Sequence, residues 1–195
     1  MNKDPKNGAI VVITGAAATG KSTVAAALQA KLSAQGSLWL YSGIDSFAQS
    51  LRRDWASFEG RGGPFAERGF VYSRGKDGAL SLTLGADGRR VMNAFHKSIA
   101  AIARSGINVV CEAVIYDAED WGDWVETLEP FSTCWVKLSA PLAVLEDREK
   151  DRPQEVRGLA RGMMSTQGVG RFDVECDTSI DTLEEVVGKI LESMD

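Results

Sequence analysis

The stretch Gly15-Ala16-Ala17-Ala18-Thr19-Gly20-Lys21-Ser22 carries the spacing G-x-x-x-x-G-K-[ST], a pattern whose chemistry is polyphosphate binding. Glycine at both ends lets successive backbone N–H groups point inward at an anion seated on a helix N-terminus. Lys21 adds a point charge able to reach β- and γ-phosphates, and the Ser22 hydroxyl is placed to ligate Mg²⁺. The nucleotide-binding set expected from the pattern is Gly15, Ala16, Ala17, Ala18, Thr19, Gly20, Lys21, Ser22 and Thr23.

Two acids and two arginines are further candidates. Asp45 and Glu112 each follow an apolar run, so each stands where a strand would end. Asp45 is either a carboxylate facing the phosphate crevice or the N-cap of a helix beginning at Ser46. Glu112 is either an acid that orders the Mg²⁺ shell or a capping, solvated residue. Arg148 and Arg152 lie one helical turn apart, and Arg157 and Arg161 repeat that spacing beyond Pro153. Stacked guanidiniums repel unless neutralised. They describe either a helix salt-bridged by Glu146, Asp147, Glu149 and Asp151 or a lid, 146–162, closing on a transferring phosphoryl group.

The positioning elements are legible from periodicity. Ile10 to Thr14 reads as a buried strand and Ser22 to Ala34 as a helix, with Val24, Leu28 and Leu32 on one face and a stop at Gly36. Ser37 to Tyr41, Asn108 to Glu112, Phe131 to Leu138 and Asp173 to Asp177 read as further strands. Arg89 to Ser105, the segment around Trp121 and Trp124, the segment opened by Pro141, and the closing stretch with Leu183, Val186, Val187, Ile190 and Leu191 read as helices. Asp181 and Glu184 are spaced as a capping pair for the last of these. Alternation of strands and helices makes this a three-layer α/β domain over residues 1–195. Residues 54–88 depart from that rhythm: Phe70 to Arg74 and Ala79 to Leu84 read as a β-hairpin turning at Gly75-Lys76-Asp77-Gly78, either a flap over a substrate site or a surface hairpin.

Composition bounds the partners. A net charge of −5 argues against general nucleic-acid or membrane-surface binding, which needs a basic field. Cys111, Cys134 and Cys176 all fall in expected strands and read as small core residues, which together with the polar first residues points to the cytoplasm. The lone histidine, His96, lies mid-helix and reads as a surface or core-edge residue. A homo-oligomer is left open.

The order of features resembles the chloramphenicol phosphotransferases, within the phosphate-loop small-molecule kinases. The resemblance rests on the loop Gly15 to Ser22, the turn Gly43-Ile44-Asp45-Ser46, the hairpin with Asp77-Gly78, Gly106 to Glu112, Trp135 through Arg148-Glu149, and Asp173-Val174-Glu175-Cys176-Asp177-Thr178. It implies a P-loop NTPase fold with five parallel strands in the order 2-3-1-4-5 and helices on both faces. It also implies an ATP- and Mg²⁺-dependent transfer of phosphate to an alcohol on a small, antibiotic-like molecule, with Asp45 as base. Lys21, Arg148 and Arg152 would serve catalysis, and Ser22 and Glu112 the metal. The alternatives are a metabolite or nucleotide kinase on the same scaffold, or a regulatory ATPase without acceptor; no Asn-Lys-x-Asp stretch marks guanine specificity. Glu112 is followed by Ala113 where the family tends to place a second acid, and Asp54 to Glu67 is longer and richer in Arg and Gly than the family's equivalent.

Overall fold

The computed structural model describes residues 6–151, 153, 156–164 and 168–194. Strand β1 (Ile10–Thr14) is buried along its whole length. Its alternate side chains enter two different cores, which is why its sequence shows no polar face. Ile10 and Val12 pack with α3 (Ala86–Arg104) and α4 (Ala118–Leu128), through Phe95, Ile99, Trp124 and Leu128. Val11 and Ile13 pack on the other face with α1 (Lys21–Ala34) and α7 (Leu183–Met194), through Leu28, Leu32, Val187 and Ile190. A strand covered on both faces must be apolar at every position.

Around β1 lie β2 (Trp39–Gly43), β7 (Asn108–Glu112), β8 (Thr133–Ser139) and β9 (Val174–Asp177), all parallel, in the order β2-β7-β1-β8-β9. Counted along the chain this is the expected 2-3-1-4-5 arrangement. The carboxyl ends of the strands therefore share one edge, where open α/β sheets bind ligands. The three cysteines are free and buried.

The insertion is larger than a hairpin. The pair β5 (Phe70–Arg74) and β6 (Leu80–Leu84) is joined by β3 (Ala56–Phe58) and β4 (Arg61–Gly62) into a second sheet ordered β4-β3-β5-β6, with β3 parallel to β5. Glu59 and Gly60, both at positive φ, turn β3 into β4. Strands of three and two residues leave no alternation to read.

Three local expectations are corrected. Helix α7 is capped one residue later than the Asp181/Glu184 spacing suggests: Thr182 Oγ1 accepts from the Glu185 N–H (3.3 Å) and Glu185 Oε2 accepts from the Thr182 N–H (2.8 Å). Asp181 instead takes the Lys189 ammonium at 2.8 Å. His96 is fully buried, not at a core edge, with its ring stacked on Trp124 (centroids 3.9 Å apart). Asp45 does not cap the short helix α2 (Ile44–Gln49); it sits inside the first turn, and the cap position is Gly43.

Candidate functional site

The phosphate loop is braced from behind and open in front. Ala16, Ala17 and Ala18 are buried against Ala140, Leu145 and Ala160, and the fully buried Thr19 donates its hydroxyl to the Ala16 carbonyl at 2.9 Å. At Gly15 a Cβ would lie 2.3 Å from the Leu138 carbonyl oxygen, so only glycine lets the loop pass β8. Gly20, at φ 88°, enters α1 with no side-chain cap, which leaves the first N–H groups of that helix available to an anion. The Lys21 ammonium donates to the carbonyls of Gly15 and Ala16, both at 3.0 Å, which holds it against the loop.

In front of the loop lies a cavity of about 410 Å³. Its floor includes Lys21, Ser22 and Thr23. Asp45, from the turn after β2, and Glu112, the last residue of β7, line the same space, and their strands are neighbours, with Gly43 in register with Glu112. Asp45 is exposed to it; Glu112 is 8% exposed, and its Oε2 accepts from the Tyr41 hydroxyl at 2.7 Å. The loop and both acids thus meet as expected from the sequence. The opposite wall is Tyr72, Ser81 and Leu82 from the insertion sheet and Tyr116 beyond β7.

The sequence offered residues 54–88 as a flap over a substrate site but singled out none of these lining residues. Tyr72 sits in a strand that could be read, but which of its alternating residues turns inward depends on a docking no local pattern encodes. The field of the acids reaches these phenols. Tyr41 is pushed up by burial and by its hydrogen bond to Glu112, Tyr72 by burial first and by Asp45 in addition, and Tyr116 by burial first and then by Tyr72, Asp120 and Asp45. All three stay neutral hydrogen-bonding groups.

The arginines divide. Arg148 donates to the Ala18 carbonyl (3.3 Å), the Thr178 hydroxyl (3.0 Å) and the Thr178 carbonyl (2.8 Å), so it ties the phosphate loop to the turn after β9. Arg152 lies outside the described residues. Arg161 is bound to Glu146 at 2.8 Å, and Arg157 donates to the Lys150 carbonyl at 2.7 Å. Glu149, 3% exposed, accepts the N–H groups of Gly158 (2.9 Å) and Ala160 (2.8 Å) and so starts the short helix α6 (Leu159–Gly162), which follows α5 (Leu142–Glu149). This segment rests on the insertion, where the Gly158 carbonyl accepts from Leu80 N–H at 2.9 Å.

Among the described residues no three His, Cys, Asp or Glu side chains cluster as a metal cage. The oxygens of Ser22 and Glu112 in one cavity fit Mg²⁺, which keeps several waters and is held by one or two protein oxygens plus phosphate.

Residues 8–195 match the family model described as chloramphenicol phosphotransferase-like protein. No curated protein sequence matches the chain. Among solved structures, a sugar kinase from Janibacter sp. HTCC2649 superposes with a TM-score of 0.67 at 16% identity, covering 96% of this chain and 95% of that one. The APS kinase of Mycobacterium tuberculosis, solved with AMPPNP and APS, gives 0.65 at 19% identity, covering 97% and 99%. The tunicamycin resistance protein of Deinococcus radiodurans gives 0.60 at 17% identity, covering 95% and 94%. At these identities the likeness is one of fold.

Proposed function

Because the chain belongs to the chloramphenicol phosphotransferase-like family, we propose that it is an ATP- and Mg²⁺-dependent O-phosphotransferase acting on a hydroxyl of a small, antibiotic-like molecule. The observation that carries this reading is the single cavity in which Lys21 and Ser22, at the phosphate loop, face Asp45 and Glu112. A polyphosphate site with a carboxylate near it but off it suits transfer to an alcohol.

The proposed division of work follows from position. The loop amides and Lys21 hold the triphosphate, and Asp45 accepts the proton of the acceptor hydroxyl while the hydroxyl oxygen bonds to the γ-phosphorus. The bond from that phosphorus to the β–γ bridging oxygen breaks and ADP leaves with the electron pair. Mg²⁺, held by Ser22 and Glu112, would neutralise charge on the β- and γ-oxygens. Arg148, placed against Ala18 and Thr178, supports the loop and the nucleotide side more directly than the γ-phosphoryl. Residues 54–88 form the acceptor wall and 146–162 the lid of one kinase domain. Catalysis of this kind is mostly positioning and charge stabilisation.

The test is a panel of hydroxylated antibiotics, nucleosides and sugars incubated with ATP and Mg²⁺ and read by mass spectrometry for a phosphate adduct. An adduct on an antibiotic supports the reading, and an adduct on a sugar or nucleoside alone moves it to a metabolite kinase. Slow ATP consumption indifferent to every alcohol would replace it with a regulatory ATPase.

A further inference from the structure

A second cavity, of about 1390 Å³, adjoins the first. On α2, Asp45 lines the first and Gln49 the second, four residues on and about 6 Å along the same helical face. On β5, Tyr72 lines the first, and Arg74, two residues on and on the same face of the strand, lines the second. Phe58 of the second stacks on Tyr72 of the first, with ring centroids 4.3 Å apart and planes 4° from parallel. The two spaces adjoin across α2 and β5, an inner part at Asp45 and Tyr72 and an outer part at Gln49 and Arg74.

The outer part is basic in a chain whose net charge is −5. Arg53, Arg61, Arg74 and Arg157 line it, against Asp54 and Glu59. Both acids are already engaged. Asp54 pairs with Arg52 at 3.0 Å, and Glu59 with Arg74, which also holds the Gly78 and Arg157 carbonyls at 3.2 and 2.7 Å. Arg61 reaches Glu59 only at 3.9 Å, with its side chain 87% exposed, and Arg53 makes no ion pair among the described residues. Two guanidiniums are left facing a cleft that leads to Asp45. Guanidinium is the side chain best matched to a planar or tetrahedral oxyanion.

We propose that the acceptor carries an oxyanion, a carboxylate, sulfate or phosphate, which Arg53 and Arg61 bind while its hydroxyl is presented to Asp45 at the inner end of the cleft. The hydroxyl end of this statement rests on the phosphotransferase reading; the oxyanion end rests on the outer cleft alone. The stretch Asp54 to Glu67 supplies Arg61 and borders Arg53. Because both arginines face open solvent, the interaction weakens as ionic strength rises.

Two experiments separate the ends. Sulfate is titrated at constant ionic strength into the unaltered protein, Lys21→Ala and the double variant Arg53→Gln/Arg61→Gln, following amide NMR shifts of residues 53–62. Saturable shifts that persist in Lys21→Ala and weaken about tenfold or more in the double variant are expected. No saturable shifts in this segment, or shifts unchanged in the double variant, overturn the proposal. In the second, hydroxy acids and their methyl esters are compared as phosphate acceptors. The acid should be preferred by about tenfold in kcat/KM, through KM, and the double variant should erase the preference. Esters used as well as acids overturn the oxyanion while leaving phosphotransfer standing. Sulfate binding as expected with no acceptor phosphorylated leaves the oxyanion site standing and removes the phosphotransfer reading.

Discussion

The Tyr41 hydroxyl donates to Glu112 Oε2 at 2.7 Å, joining the middle of β2 to the end of the neighbouring parallel strand β7. The bond orients a carboxylate proposed to face Mg²⁺, and outer partners of metal-facing groups commonly matter about 10- to 100-fold for affinity. Tyr41→Phe should therefore raise the Mg²⁺ concentration for half-maximal turnover, and Glu112→Gln should raise it further. Gly43→Ala should act in the same direction, because its Cβ would meet the Tyr41 hydroxyl at 2.7 Å. A Mg²⁺ titration in which all three coincide with the parent detaches Glu112 from the metal.

Asp45→Asn preserves shape and removes charge. As Asp45 lies inside the first turn of α2 and not at its cap, its loss should change stability little. Phosphoryl transfer should fall about 10²- to 10⁴-fold, the usual worth of a positioned base. Melting temperature, ATP affinity and transfer rate measured on this one variant decide the matter. Near-parental transfer would sink the proposed mechanism.

Lys21→Ala should abolish turnover and weaken ATP binding together, since an ammonium on the phosphates acts in both the ground and the transition state. Calorimetry with unchanged ATP affinity would remove this loop as the nucleotide site.

Arg148→Ala releases the Ala18 carbonyl and the turn at Thr178 at once. The expected result is a rise in KM for ATP at least as large as the loss in kcat. A pure kcat defect, with KM for ATP untouched, would instead return Arg148 to the transferring phosphoryl group.

The buried pair His96 and Asp120 makes a pH prediction. Burial lowers His96 to about 3 and raises Asp120 to about 7, and His96 Nε2 lies 3.4 Å from Asp120 Oδ1. A depressed histidine loses its stabilising contribution as pH falls from 6.5 towards 3, whereas a raised aspartate loses its contribution as pH rises from 3.8 towards 7. Across the shared window the folded and unfolded chains bind equal numbers of protons through this pair, and its two slopes cancel. Each single variant should expose the other slope, at up to about 1.4 kcal/mol per pH unit. In His96→Leu, stability should fall as pH rises from about 4 to 7; in Asp120→Asn, it should fall as pH drops below about 6.5. Chemical denaturation between pH 4 and 7 measures both. Parallel profiles for the parent and both variants would rule out the pair.

The parallel sheet and the phosphate loop were legible because their signals are local: an apolar run buried on both faces, a glycine-framed loop, a helix stopped by Gly36. The meeting of Asp45 with Glu112 was legible too, since strand ends in such a sheet share one edge. Three things were not. Strands β3 and β4 are too short to alternate, and the inward turn of Tyr72 and Tyr116 depends on how the second sheet docks. The role of Arg148 depends on a partner, Thr178, that lies 30 residues further along the chain. Glu149 misled for a related reason: it looks like a surface counter-ion by spacing and is a buried cap by contact, whereas Glu146 does pair with Arg161.

The two sheets are hydrogen-bonded as separate ladders among the described residues, so the strand carrying Tyr72 and Arg74 contributes no rung to the sheet that carries Glu112 and leads into Asp45. Substitutions in the second sheet can alter shape and charge opposite the proposed reacting groups without shifting the register of β1, β2 or β7. A lineage built this way can drift among acceptors while its phosphate chemistry stays fixed, and its recent history would be written in residues 54–84, not in the loop that first draws the eye.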